Sequence, residues 1–105
     1  MSHGQGPSSP NAVTVVDNAS ERRFETTASG YLAHLDYRRD GERLVIVHTE
    51  VPAALRDRGL GGQLVEAAVE GAVTGGLTVV PACSFARSWL HKHPELAANV
   101  KIDWA

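Results

Sequence analysis

One short stretch of the sequence, residues 51–64, reads Val51-Pro52-Ala53-Ala54-Leu55-Arg56-Asp57-Arg58-Gly59-Leu60-Gly61-Gly62-Gln63-Leu64. Its order predicts the end of a strand, then a turn rich in arginine and glycine, then the first turn of a helix. Backbone N–H groups at a helix N-terminus lack intrahelical acceptors, and the helix dipole adds partial positive charge there. Because glycine also lets a bulky anion approach the main chain, the stretch predicts a cradle for a phosphorylated ligand.

The spacing of these glycines excludes two common types of phosphate-binding loop. A P-loop needs a Lys-Ser or Lys-Thr pair after the glycines, and none follows here. A dinucleotide fingerprint needs Gly-x-Gly-x-x-Gly inside a larger doubly wound sheet, and the third glycine is missing here. The residues instead match Arg-x-x-Gly-x-Gly over positions 56–61. The alternative interpretation is an ordinary glycine-rich connection that enters a surface helix.

The composition predicts a single globular domain: the chain has 105 residues, a net charge of −2 and 43% hydrophobic side chains. Residues 1–12 are rich in glycine, serine and proline and are expected to be disordered, so that residues 13–105 form the domain. The sequence has no basic tail and no apolar run near the ~20 residues of a membrane span, so neither nucleic acid nor a membrane is expected as a partner. Cys83 is the only cysteine, which fits a cytoplasmic location.

Period-two alternation predicts antiparallel strands in the first half of the chain. The clearest case is residues 31–38, where Tyr31, Ala33, Leu35 and Tyr37 share one face. The other predicted elements of this half are an edge strand at 13–16, a turn at Asp17-Asn18, a strand at 22–27, a hairpin turn at Asp40-Gly41 and a central strand at 43–49.

Helical spacing dominates the second half. Leu64, Val65, Ala68, Val69 and Ala72 predict the apolar face of a helix that ends at Gly75-Gly76. A buried strand at 77–80 follows, then a helix with Phe85, Trp89 and Leu90 in the core, an interruption at Pro94 and one more turn at 95–98. A strand, a helix and a strand within this length imply a right-handed parallel βαβ unit. The predicted fold class is therefore α/β, with antiparallel strands followed by a βαβα unit in a mixed sheet.

Three further motifs lie before and after the glycine-rich loop and its helix. They are His48-Thr49-Glu50-Val51-Pro52 before the loop, Val80-Pro81-Ala82-Cys83-Ser84-Phe85 after the helix, and His91-Lys92-His93-Pro94-Glu95 beyond it. With these motifs and this order of elements, residues 13–98 resemble a minimal, single-domain branch of the GNAT acyltransferase superfamily. The resemblance implies a mixed sheet that splays open between the strands at 43–50 and 77–81.

The same resemblance implies acetyl-coenzyme A as the cofactor and an amine as the acceptor. The pantetheine arm would lie in the splayed opening, and the pyrophosphate would lie on the N–H groups of residues 58–62. The tyrosine that family members use as an acid has no counterpart, because Tyr31 and Tyr37 both lie upstream. The residues expected to hold the coenzyme are Thr49, Val51, Arg56, Asp57, Arg58, Gly59, Leu60, Gly61, Gly62, Ser84 and Arg87.

Cys83 is the leading candidate for chemistry. It follows a buried strand and precedes a helix that Ser84 is expected to cap, so the helix dipole and Arg87 would stabilise its thiolate. In the family layout this position lies near the thioester carbonyl. Cys83 would then accept the acetyl group or line the acyl pocket; the alternative is a small buried hydrophobic side chain.

His48 and Glu50 are the candidate general bases. His48 is expected to share a strand face with Leu44 and Ile46, and an imidazole titrates near neutrality. The alternatives are a structural histidine and a solvated strand-end carboxylate. His91 and His93 stand two apart, so they would point in different directions on a helix, and no metal is expected there.

The sequence as a whole predicts an acetyl-CoA-binding N-acetyltransferase, acting as a monomer or a weak dimer. Two alternatives remain open. The first is a non-catalytic acyl-CoA-binding module, and the second is self-acetylation at Cys83.

Overall fold

The computed structural model describes residues 14–104, and its centre is a five-stranded mixed sheet. The predictions for residues 1–12 and for Val13 therefore lie outside the described residues. The strands lie side by side in chain order: β1 (Val16–Asn18), β2 (Arg23–Ala28), β3 (Tyr31–Asp40), β4 (Arg43–Glu50) and β5 (Thr78–Pro81). The first four pair antiparallel and β4 pairs parallel with β5, which confirms the predicted class and the βαβ unit.

Two tight turns set the register of the central strands. Ser29 and Gly30 join β2 to β3 with φ of 53° and 80°, the left-handed pair that a two-residue hairpin needs to match strand twist. Between β3 and β4 the turn is Gly41-Glu42, flanked by the pair Asp40 and Arg43. The predicted hairpin is therefore confirmed, with its turn one residue later.

The start of the sheet differs from the sequence prediction. Asp17 and Asn18, predicted as a turn, belong to β1 and pair with β2. The Tyr37 hydroxyl donates to the Asp17 carboxylate at 2.6 Å, which ties this short strand to β3. The turn comes after the strand, at Ala19–Glu21, where the Asn18 side chain accepts from the Glu21 amide at 3.4 Å.

Three helices follow the order that the periodicity predicts: α1 (Leu60–Gly75), α2 (Ser84–His91) and α3 (Pro94–Ala97). Helix α1 packs across β2, β3, β4 and β5. Its apolar face is buried as expected against sheet residues that include Phe24, Leu35 and Ile46. Each fully buried side chain of this size contributes about 1.5 to 3 kcal/mol to folding. Among the described residues, no helix has the length and apolar character needed to cross a bilayer.

The last described residues lie beside β5. The backbones of Lys101 and Asp103 each bond to Val79, so Ile102 bridges to the outer side of β5 in parallel orientation. Trp104, which no sequence pattern explains, is half-buried and stacks on His91 with ring centroids 4.1 Å apart.

A bulge in β4 divides its residues between the two sides of the sheet. Tyr37 pairs with Ile46 and Asp36 pairs with His48, which leaves Val47 without a partner in β3. Because side chains alternate along a strand, this extra residue reverses the sides from His48 onward. The expectation that His48 shares a face with Leu44 and Ile46 is therefore wrong.

We call the side of the sheet under α1 the core face and the opposite side the open face. On the open face lie three neighbouring pairs of charged or titratable residues, one pair on each of β2, β3 and β4. They are Arg23 and Glu25, His34 and Asp36, and His48 and Glu50.

Candidate active site

A cleft of about 480 Å³ lies where β4 ends, between the following loop, the N-terminus of α1 and one side of α2. Three of its lining residues, Leu55, Phe85 and Trp89, were not expected to hold a ligand. The cleft also brings together eight of the eleven residues predicted to hold the coenzyme: Thr49, Val51, Arg56, Asp57, Gly59, Leu60, Gly61 and Gly62.

The sheet opens beside this cleft. Pairing between β4 and β5 ends at Ile46 and Pro81, and the last bond across the seam runs from the Cys83 amide to the Ile46 carbonyl at 3.0 Å. Strand β4 continues to Glu50. Residues 47–50 therefore have backbone edges on the β5 side that no strand among residues 14–104 covers, as expected for a splayed sheet.

The loop after β4 forms one wall of the cleft and leads into α1. Residues 53–55 form one 3-10 turn, and the fully buried Leu55 anchors it in the core. Asp57 and Gly59 have φ of 68° and 73°, so the loop changes direction sharply just before α1. The first intrahelical bond of α1 runs from the Gln63 amide to the Gly59 carbonyl. The amides of residues 60–62 precede it and have no intrahelical acceptor.

The two arginines of the loop have different surroundings. Arg56 lines the cleft. The Arg58 guanidinium donates to the Ser29 hydroxyl at 3.2 Å, at the tip of the β2–β3 hairpin, and Arg58 does not line the cleft. Of the two arginines predicted to face the phosphates, Arg56 therefore lies in the cleft and Arg58 lies outside it. The left-handed Asp57 between them changes the direction of the chain.

Gly61 and Gly62 lie directly against side chains of α2, which the sequence did not suggest. A Cβ at Gly61 would lie 2.7 Å from the ring of Phe85, and one at Gly62 would lie 2.4 Å from Nε1 of Trp89. Since real Cβ atoms do not come this close, any side chain at Gly61 or Gly62 would force the facing ring of α2 to move. A Gly61→Val variant would thus disturb helix packing as well as any bound phosphate.

Phe85 and Trp89 are less buried than the sequence predicts, although Trp89 still packs against the core. Phe85 is 43% exposed rather than buried in the core, and Trp89 is half-buried, and both line the cleft. They stand four apart on α2 and so share one face of that helix. That spacing opposite two adjacent glycines is the signal that could have identified them as a wall of the cleft.

Cys83 lies where β4 and β5 separate, and it is next to the cleft without lining it. It is a free, buried thiol, and its Sγ lies 3.6 Å from Oγ1 of Thr49, which lines the cleft. Cys83 itself is the N-cap of α2, with extended backbone and no capping side chain. Ser84 is the first helical residue, so its predicted capping role is wrong.

Two further expectations around Cys83 are not met. Ser84 is exposed and does not line the cleft. Arg87 lies with its guanidinium 5.8 Å from the ring of Trp104, on another side of α2, so it is not placed toward the cleft.

His48 and Glu50 form an exposed pair on the open face. Nε2 of His48 lies 2.9 Å from Oε1 of Glu50, and this hydrogen bond, with the histidine's charge, holds the pKa of Glu50 below its ordinary value. Asp36 and His34 lie directly across from them on β3. The bulge thus places the two candidate bases on the side of the splayed strand away from Thr49. Within residues 14–104, no cluster of three or more acidic, histidine or cysteine side chains is arranged for a metal ion.

Comparison with known proteins identifies this arrangement. Residues 23–100 match the sequence model of the GCN5-related N-acetyl-transferase family, so the chain belongs to that family of acetyltransferases. It is also similar to a GCN5-like protein from Staphylococcus aureus, proposed to be an N-acetyltransferase, whose solution structure was determined by NMR. The two share 28% sequence identity over 88% of this chain and 90% of the other, with a TM-score of 0.68. Enzymes of this family in general use acetyl-CoA and an amine acceptor.

Proposed function

We propose that this protein binds acetyl-CoA in the cleft and transfers the acetyl group to an amine. The observation that carries the proposal is the meeting of two features at one place. The uncovered edge of β4 at 47–50 lies next to the N-terminus of α1, and both border the same cleft. Strand backbone can pair with the amides of a pantetheine arm, while a helix N-terminus attracts the pyrophosphate.

The loop supplies the phosphate end of this site. The free amides of residues 60–62 donate to phosphate oxygens, and the dipole of the 16-residue helix α1 adds to their effect. Arg56 adds a charged donor whose forked geometry suits phosphate. The apolar side chains of Val51, Leu55 and Phe85 line the same cleft and exclude water from the rest of the coenzyme.

The transfer itself is attack by a neutral amine on the thioester carbonyl. The C–N bond forms, the C–S bond breaks, and the coenzyme leaves as a thiolate that takes a proton. Backbone N–H groups of the uncovered β4 edge are placed to polarise the carbonyl oxygen. The His48–Glu50 pair is the base we propose for the amine proton, with Glu50 orienting the imidazole.

The test of coenzyme binding uses the two arginines as a matched pair. Titration calorimetry with acetyl-CoA should show binding to the wild type and about tenfold weaker binding to Arg56→Ala, since hydrogen bonds to charged groups are worth more than neutral ones. Arg58→Ala removes the same charge two residues away, outside the cleft, and should bind almost as the wild type does. Equal losses in both variants would indicate a general charge effect, and no binding to the wild type would refute the proposal.

The contact between Thr49 and Cys83 supports a second route, in which Cys83 takes the acetyl group first. The thiolate would attack the thioester, forming acetyl-cysteine and releasing the coenzyme thiol. Intact-protein mass spectrometry after incubation with acetyl-CoA should then show one added acetyl group that is absent in Cys83→Ala. If turnover with amines persists in Cys83→Ala and no adduct forms, transfer is direct.

A further inference from the structure

The indole of Trp89 is placed in an unusual way beside the N-terminus of α1. Of the atoms that a Cβ at Gly62 would meet, the nearest is the indole nitrogen, Nε1, and the next two belong to the same pyrrole edge. The polar edge of the ring, not its benzene edge, therefore faces the first turn of α1. Gly62 and Trp89 both line the cleft.

No partner within the described chain satisfies this N–H group. Across residues 14–104, Nε1 of Trp89 donates no hydrogen bond. Buried and half-buried indole nitrogens usually find an acceptor, because leaving the N–H unpaired costs free energy. The backbone amides of Gly61 and Gly62, next to the indole, also have no intrahelical acceptor. The indole N–H of Trp89 therefore lies among donors that suit an anion.

His93 fixes the orientation of the ring. The imidazole stacks on the indole with centroids 3.8 Å apart and an interplanar angle of 15°. Its Nδ1–H donates to the carbonyl of Trp89 itself at 2.8 Å, so the histidine is held in place by the same residue that it supports. Gly62 lies against the edge of the ring that carries Nε1. The indole is thus held between α1 and the start of α3 before any ligand arrives.

We infer that Trp89 is a coenzyme-binding residue whose indole N–H donates to a phosphate oxygen of the bound coenzyme, beside the amides of α1. This inference rests on the proposed function and adds a side-chain donor to a site otherwise built from backbone. It also gives Gly62 a second purpose, because only glycine lets the indole nitrogen come this near to the helix axis. A preorganised donor strengthens binding since little ordering remains to be done.

The sequence provides a clean spectroscopic test, because Trp89 and Trp104 are the only tryptophans. A ¹H–¹⁵N spectrum of the full chain shows one indole signal for each, and Trp104→Phe assigns them. Titration with coenzyme A, and separately with inorganic pyrophosphate, should shift the Trp89 indole signal and leave the Trp104 signal in place. Pantetheine, which lacks the phosphates, should leave both signals nearly unchanged.

Calorimetry completes the test. Trp89→Phe keeps an aromatic ring but removes the donor, and it should weaken coenzyme A binding about tenfold while pantetheine binding is unchanged. Phe85→Leu alters the same helix face without removing a donor and should change both affinities equally. If Trp89→Phe binds coenzyme A as well as the wild type, or weakens coenzyme A and pantetheine equally, the inference fails and the proposed function stands. If the wild type binds neither ligand, both fall.

Discussion

The two faces of the sheet are built on opposite principles. On the core face, Leu35, Ile46 and the apolar residues of α1 exclude water completely. On the open face, basic or histidine side chains alternate with carboxylates both along and across the strands: Arg23 with Glu25, His34 with Asp36, and His48 with Glu50. The same three strands supply both faces, so the difference comes from side chains alone.

The difference shows where stability and sensitivity to pH reside. Buried apolar contacts contribute large free energies that do not depend on protonation. Exposed ion pairs contribute little to stability but change charge with pH, especially when a histidine is involved. We therefore expect the core face to determine whether the chain folds, and the open face to set the charge that an approaching amine meets.

The largest expected effect is a core truncation on α1. Leu64 is fully buried, so Leu64→Ala should lower the free energy of unfolding by about 2 to 5 kcal/mol through lost contacts and a cavity. Val73→Ala on the same helix, where Val73 is 49% exposed, is the control and should change little. Urea unfolding measures both. Similar losses in the two variants would contradict the view that the buried core on this side of the sheet determines stability.

An intermediate effect is expected at Tyr37, which lies on the core face yet reaches Asp17 at its edge. Tyr37→Phe should cost about 1 to 2 kcal/mol, because the Asp17 carboxylate loses the hydroxyl that donates to it. Burial, followed by the bond to Asp17, raises the pKa of Tyr37 to about 12. The fold favours the neutral phenol, so this stabilisation is complete below pH 10 and disappears as the pH rises from 10 toward 12.

Urea unfolding at several alkaline pH values checks this sign. The wild type should lose stability more steeply than Tyr37→Phe above pH 10, the ordinary pKa of a tyrosine. Tyr31, which is 49% exposed, provides the matched control, and Tyr31→Phe should keep the wild-type slope. An unchanged alkaline slope in Tyr37→Phe would show that its phenol does not report on the fold.

The smallest effect is expected on the open face. The hydrogen bond from His48 holds the pKa of Glu50 below 4.5, so the contribution of the pair is present above that value and lost as the pH falls through the lowered pKa. His48→Gln should return the pKa of Glu50 toward 4.5 with almost no change in unfolding free energy. NMR titration of the Glu50 carboxyl measures the shift, and His91→Gln, which lies against Trp104, should leave it unchanged.

Much of the fold followed from local patterns. Alternation in residues 31–38 and helical spacing from Leu64 to Ala72 identified β3 and α1, because each pattern repeats often enough to fix its period. Short elements were less certain. Asp17 and Asn18 carry a turn signature, yet the long-range bond from Tyr37 to Asp17 keeps them in β1, and no local pattern reveals such a bond.

The candidate site was predictable in its backbone and less so in its side chains. The glycines and the strand order placed the loop, the opening and Arg56 correctly. The directions of His48 and Arg58 depend on a one-residue bulge and on a left-handed Asp57, and neither has a sequence signature here. Trp89 looked like core because its spacing fits a buried helix face, and only contact with Gly62 shows it at the cleft.

The bulge at Val47 acts as a phase shift within one strand. Before the bulge, the even-numbered residues Leu44 and Ile46 face the core. After it, the odd-numbered Thr49 faces inward beside Cys83, and His48 faces outward. Deleting Val47 would move the side chains of residues 48–50 to the opposite side of the sheet, although none of these residues is itself changed. The arrangement of this end of the site is therefore encoded in the length of β4, so that an insertion or deletion there is a more drastic mutation than most substitutions.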